Sequence, residues 1–140
     1  MKFIIPIPPI TKKNSQQLIK NKQGRVIPIP SSQYLKYEKE CGSYIPQGYK
    51  IDFPINIKAI FYMPTRRKCD LVNLEEALCD VLVKYQLVED DNYTIIASMD
   101  GSRVAYSKEQ ARTEVEITSI DPRFDAKLAE IGTIRHPMEW

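Results

Sequence analysis

A basic run, Arg66-Arg67-Lys68, leads into Cys69 and Asp70; Glu75, Glu76 and Asp80 follow, and Glu89-Asp90-Asp91 close the stretch. Carboxylates beside guanidinium and ammonium groups suit one kind of chemistry. Acids hold a hard divalent cation through oxygen, and basic groups hold a phosphate next to it. Metal-assisted cleavage of a phosphodiester needs that pairing and no nucleophilic side chain, because the ion activates water. Two like charges about 4 Å apart repel by about 4 kcal/mol at an effective dielectric of about 20, so acids that converge need a cation.

The elements that would position these acids follow from periodicity. Leu71, Leu74, Leu78, Val81, Leu82 and Tyr85 recur at three- and four-residue steps, which predicts an amphipathic helix with Glu75, Glu76 and Lys84 largely off its apolar stripe. Asp70 then falls at the N-cap and Asp90-Asp91 just beyond the helix end, so folding can bring distant acids to one place. Capping is the competing reading of Asp70, since an N-cap carboxylate accepts a backbone N–H and suits the positive end of the helix dipole.

Around this helix the order reads strand, loop, helix, strand, helix, strand, strand. Phe3 to Ile7 is a short strand, Lys12 to Arg25 a basic loop, and Ser32 to Tyr44 a helix ended by Pro46 and Gly48. Ile51 to Met63 alternates as a strand, as do Tyr93 to Met99 and Thr113 to Ile120. Asp100-Gly101 is a hairpin turn or a bulge within one long strand, structural in either case. The expected fold is α+β, a mixed sheet of about four to five strands with two main helices on one face. Phe124, Leu128 and Ile131 predict a short helix in a tail over 121–140, packed on the body or on a second subunit.

Composition describes an ordinary domain. A chain of 140 residues that is 43% hydrophobic needs no disulfide framework. The three cysteines lack CxxC spacing and the single histidine is His136, which argues against a zinc cluster. Cys69 has no histidine near it in sequence to act as a base, so the thiols read as reduced cysteines of a cytoplasmic protein. Met1 to Ile10 reads as a strand rather than a targeting segment, and no run approaches the length of a membrane span. The net charge of +2 is too small to imply nucleic-acid binding. Its distribution is more telling: Lys12, Lys13, Lys20, Lys22 and Arg25 crowd the N-terminal loop, and Arg66, Arg67 and Lys68 precede the acids.

Asp70, Asn73, Leu74, Ala77, Asp80 and Leu82, followed by Asp90-Asp91, resemble the RusA-type Holliday junction resolvases. That family carries Asp-x-Asp-Asn-Leu-x-Lys-Ala-x-x-Asp-Ala-Leu on such a helix, then an Asp-Asp pair leading into a strand. Ile5-Pro6-Ile7-Pro8-Pro9 with Lys12-Lys13-Asn14-Ser15 resembles the family's opening strand and basic loop, and Pro30-Ser31-Ser32-Gln33-Tyr34 the start of its first helix. The resemblance covers roughly residues 1–120, taken as the nuclease domain. It implies a homodimer that cuts four-way DNA junctions with Mg²⁺, for which Mn²⁺ substitutes. Asp70 and Asp91 are then the catalytic metal ligands, with Asn73 and Asp90 supporting, and Lys12, Lys13, Arg66, Arg67 and Lys68 hold the DNA backbone. Two positions depart from the pattern: Val72 stands at the second Asp, and Glu76 at a Lys that assists catalysis. Glu76 is therefore expected as a substitute catalytic acid and third ligand. Two other readings remain: a branched-DNA binder of the same fold with impaired cleavage, and a plain fold whose acids only cap and solvate.

Overall fold

Strand alternation and one apolar helix stripe account for most of the architecture. The computed structural model describes residues 1–12 and 16–134; Lys13, Asn14, Ser15 and residues 135–140, with His136, lie outside the described residues. The chain runs β1 (Lys2–Ile5), β2 (Gln16–Lys20), β3 (Val26–Pro30), α1 (Ser32–Cys41), β4 (Ile55–Met63), α2 (Leu71–Lys84), β5 (Ile96–Ser98), β6 (Arg103–Tyr106), β7 (Arg112–Ser119) and α3 (Asp125–Ile134). It is an α+β fold with a mixed five-stranded sheet in the order β1-β7-β4-β5, with β6 also on β4, and three helices. The β7 partners are antiparallel; β5 and β6 run parallel to β4, with α2 as the crossover.

One face of the sheet supplies Phe3, Ile5, Ile55, Ile57, Ala59, Phe61, Val115 and Ile117 to the core, where they meet Tyr34, Tyr37 and Cys41 of α1 and Leu74, Ala77, Leu78, Val81 and Leu82 of α2. The two helices are also tied directly. Lys84 Nζ lies 2.6 Å from Glu38 Oε1, and the Tyr85 hydroxyl donates to the Glu38 carbonyl at 2.7 Å. Gly42, just after α1, permits this approach, because a Cβ there would sit 2.5 Å from the Tyr85 ring. Beyond β7, Phe124 stacks on Phe53 at 4.8 Å, and Leu128 and Ile131 enter the core, so α3 packs back on the body.

Two expectations change, and the alternatives at Asp100-Gly101 are resolved. The basic loop is largely an antiparallel hairpin, β2 with β3, in a sheet of its own. The strand expected over 93–99 shrinks to β5, because Asn92 ties down the turn before it, its side chain accepting from Thr94 N at 2.9 Å. Asp100-Gly101 reverses nothing: β5 and β6 both run parallel to β4, so the break is an irregularity along one strand path. Asn56 fills the gap, its Oδ1 accepting from Ser98 Oγ at 2.6 Å and Asp100 N at 2.8 Å. Among the described residues no helix is long and apolar enough to cross a membrane.

The two long helices begin differently. Ser31 caps α1, its hydroxyl accepting from Tyr34 N at 3.2 Å. Asp70 occupies the N-cap of α2 with extended backbone, φ −94 and ψ 125, yet its carboxylate accepts no capping bond and lies 3.4 Å from Asn73 Nδ2. Urea unfolding in about 1 M salt, which screens the helix dipole, separates the two. Ser31→Ala is expected to cost about 1 kcal/mol, and Asp70→Ala less than about 0.5 kcal/mol; equal losses would return Asp70 to the capping role.

Candidate nucleic-acid and metal site

The segment between β4 and α2 carries the basic run to the mouth of a cleft of about 550 Å³. Its lining combines Pro8, Pro9, Ile10 and Thr11 from the segment after β1 with Met63, Arg67, Lys68, Cys69 and Asp70, and includes Gln33 and Leu74. Arg66 lies with its guanidinium carbon 4.2 Å from the centre of the Tyr106 ring, a stacking that holds the side chain without neutralising it. Asp70, its carboxylate not spent on capping, opens into the same cleft as Arg67 and Lys68.

Farther along α2 the surface turns acidic. Asn73, Glu76, Ala77 and Asp80 line a small depression with Lys12. Lys12 and Asp80 also line the next one, of about 330 Å³, together with Glu38, Val83, Lys84, Asp90 and Asp91. Lys12 Nζ pairs with Asp80 Oδ2 at 3.1 Å and sits 5.6 Å from the Tyr34 ring centre. A half-exposed pair of this kind contributes little to stability, so its effect is to fix where the ammonium stands.

The field on Cys79 records how the acids are gathered. Its thiol is pushed up to about 12, first by burial and then by the charges of Asp91, Asp80, Glu75 and Glu76. The loop acid Asp91 lines the same depression as Asp80 of α2. Burial alone raises Glu75 above the usual carboxylate range. Asp90 does a different job. It accepts from Asp91 N at 2.7 Å and from Asn92 Nδ2 at 2.9 Å, which shapes the turn and holds its own carboxyl below the usual range.

The sequence-derived acids are therefore distributed over three neighbouring depressions, with Asp70 at the start of α2, Glu76 on it and Asp91 in the turn beyond it. Asp70 opens into the first cleft, Glu76 into the second depression and Asp91 into the third, linked by Asn73 at one junction and by Lys12 with Asp80 at the other. Among the described residues no three Asp, Glu, Cys or His side chains are grouped to hold an ion. The donor chemistry nonetheless suits a hard divalent cation, since every acid offers oxygen and such an ion takes one or two carboxylates with substrate phosphate completing its shell. Lys13 lies outside the described residues. Val72 is 69% exposed, so nothing in the packing requires an apolar residue there. Sequence reasoning gave no site role to Asp80 or to Glu75; the signal available was the four- and five-residue spacing of Asp80 from Glu76 and Glu75.

A search of curated proteins finds no match. The family model described as Endodeoxyribonuclease RusA matches residues 6–118. Members of that family are endonucleases that resolve Holliday junctions, bind branched DNA and generally depend on a divalent metal. The match begins just after β1 and takes in the hairpin, α1, β4, the basic run, all of α2 and the acidic turn after it, and so the chain belongs to the RusA endodeoxyribonuclease family.

Proposed function

We propose that this protein is a Mg²⁺-dependent endonuclease that resolves four-way DNA junctions as a homodimer. The observation that carries the reading is the Asp70 carboxylate: set at a helix N-cap, unused as a cap, and facing a cleft shared with Arg67 and Lys68. Asp70 and Asp91 would hold the ion, for which Mn²⁺ would substitute, and Glu76 would serve as the third acid in place of the residue that Val72 replaces. When bound, the ion neutralises the scissile phosphate and lowers the pKa of an attacking water. The residues of the chain do the rest. Arg66, Arg67 and Lys68 bind the backbone at the cleft, Lys12 stands over the acidic depressions, Asn73 orients the Asp70 carboxylate, and Asp90 shapes the turn that presents Asp91.

A four-way junction has two-fold symmetry, and two opposed cuts need two matching sites, which a C₂ dimer supplies. Residues 1–120 form the nuclease unit and 121–140 a tail. Three cysteines without a disulfide among them suit the reducing cytoplasm. The second reading, a branched-DNA binder that cuts poorly or not at all, draws on the exposed Val72 and on the absence, among the described residues, of three grouped acids.

Incubating the purified protein and Mg²⁺ with a synthetic junction separates the two readings. Symmetric nicks are expected, with Asp70→Asn and Asp91→Asn each lowering the rate by more than about 100-fold, above the 10–100-fold usual for outer-shell partners, while junction affinity holds. Glu76→Gln should likewise abolish cutting and spare binding. Cutting seen only in a Val72→Asp/Glu76→Lys double variant, with none by the natural protein, would make this chain a binder.

The basic run is tested by salt. Arg66→Ala and Arg67→Ala are each expected to lower the slope of log affinity against log salt by about one unit. An unchanged slope in both variants would reduce them to solvated loop charges.

A further inference from the structure

The hairpin of β2 and β3 is set apart from the rest of the molecule. It forms a separate two-stranded sheet, and its strands pack chiefly on each other. Its aliphatic side chains are exposed on both faces. Ile19 pairs with Ile27 on one face, at 41% and 36% exposure, while Leu18 and Val26 lie on the other at 72% and 58%. Exposed aliphatics on two faces of a thin ribbon mark a surface that something covers.

The tip is built rather than loose. Asn21 Oδ1 accepts from Gln23 N at 3.0 Å and from Arg25 N at 2.9 Å, and Asn21 N donates to the Arg25 carbonyl at 2.8 Å. Gly24 closes the turn at φ +78, with nothing within 4 Å of a would-be Cβ, so backbone angle and not space selects glycine there. This framework holds Lys20, Lys22 and Arg25 around one exposed end, and none of them forms an ion pair among the described residues. No Asp or Glu precedes Glu38 in the chain.

We infer that this hairpin is a DNA-binding arm that enters the major groove of one duplex arm of the substrate, away from the cutting centre. The inference rests on the branched-DNA reading above and adds a second contact surface to it. A major groove about 12 Å wide admits a two-stranded ribbon, lines its edges with phosphates and meets the ribbon on more than one face. Tip cations reach the phosphates, and the aliphatic side chains meet thymine methyls and sugars. A flat protein partner covers only one face and leaves the other pair of aliphatics in water. A second copy meeting this hairpin tip to tip would bring six cations together.

The test uses the full chain, a synthetic four-way junction and no divalent metal, so that binding is read without cutting. The triple variant Lys20→Ser/Lys22→Ser/Arg25→Ser is expected to lower the salt slope by about two to three units and to remove protection of guanine N7 from dimethyl sulfate along one arm, with an unchanged sedimentation profile. The Leu18→Ser/Val26→Ser variant is expected to weaken that protection while the slope holds. An unchanged slope and footprint in the triple variant overturns the inference and leaves the nuclease reading standing. Altered sedimentation with an unchanged slope overturns it in favour of a contact between copies. Loss of adenine N3 protection in place of guanine N7 overturns the groove assignment. A protein that never cuts but shows the expected losses keeps the arm and loses the nuclease.

Discussion

Leu74, Ala77, Leu78, Val81 and Leu82 bury one stripe of α2 against the sheet, and a helix anchored along a stripe cannot roll. The placement of the acids on α2 follows from that constraint. With the stripe inward, Asn73, Glu76 and Asp80 are left to line the outer depressions, and Asp70 stands where the chain enters the helix from the basic run. The far end is held as well. Leu87 and Val88 are buried, Ile51 N donates to the Leu87 carbonyl at 2.8 Å and Glu89 N to the Ile51 carbonyl at 2.9 Å. The acidic turn with Asp91 is therefore pinned to the body on the same side as the helix acids. Each buried aliphatic contributes about 1.5–3 kcal/mol of transfer free energy, well above the cost of holding a few exposed like charges near one another.

That imbalance explains how a fold can carry acids that repel. Hydrophobic burial sets the helix, and the carboxylates ride on it. The molecule relieves the repulsion locally, through Lys12 on Asp80 and through Lys84 on Glu38. Cys79, half-buried, has its thiol pushed up first by burial and then by the charges of Asp91, Asp80, Glu75 and Glu76. A cation and a phosphate entering this surface meet preformed charge of the opposite sign, which is how a site stabilises charge without reorganising.

Legibility in the sequence tracked how local the determining interactions are. The α2 helix was readable because its stripe is periodic within one segment, and so was the tail helix from Phe124, Leu128 and Ile131. The family was readable because its motif lies on that helix. The β2–β3 hairpin was not, since Pro28 and Pro30 argue against a strand. They are tolerated because residues two apart point their N positions to the same edge of a ribbon, leaving Ile27 and Ile29 to carry the ladder. The strand break at Asp100 was ambiguous because Asn56, far away in the chain, decides it. The role of Lys12 was legible only as a charge; that it pairs with Asp80 and bridges two depressions is a tertiary fact. The spread of Asp70, Glu76 and Asp91 over three depressions also lies beyond what spacing can tell, since it depends on where the turn after the helix is pinned.

The central claim is that Asp70 and Asp91 share one divalent ion when the junction is bound. Anomalous scattering from crystals of the protein–junction complex with Mn²⁺ tests it most directly. The account predicts one Mn²⁺ peak per protomer, within about 2.0–2.3 Å of a carboxylate oxygen of both Asp70 and Asp91, with a junction phosphate in the same shell. Peaks that touch only one of the two residues, or none at either, would contradict it.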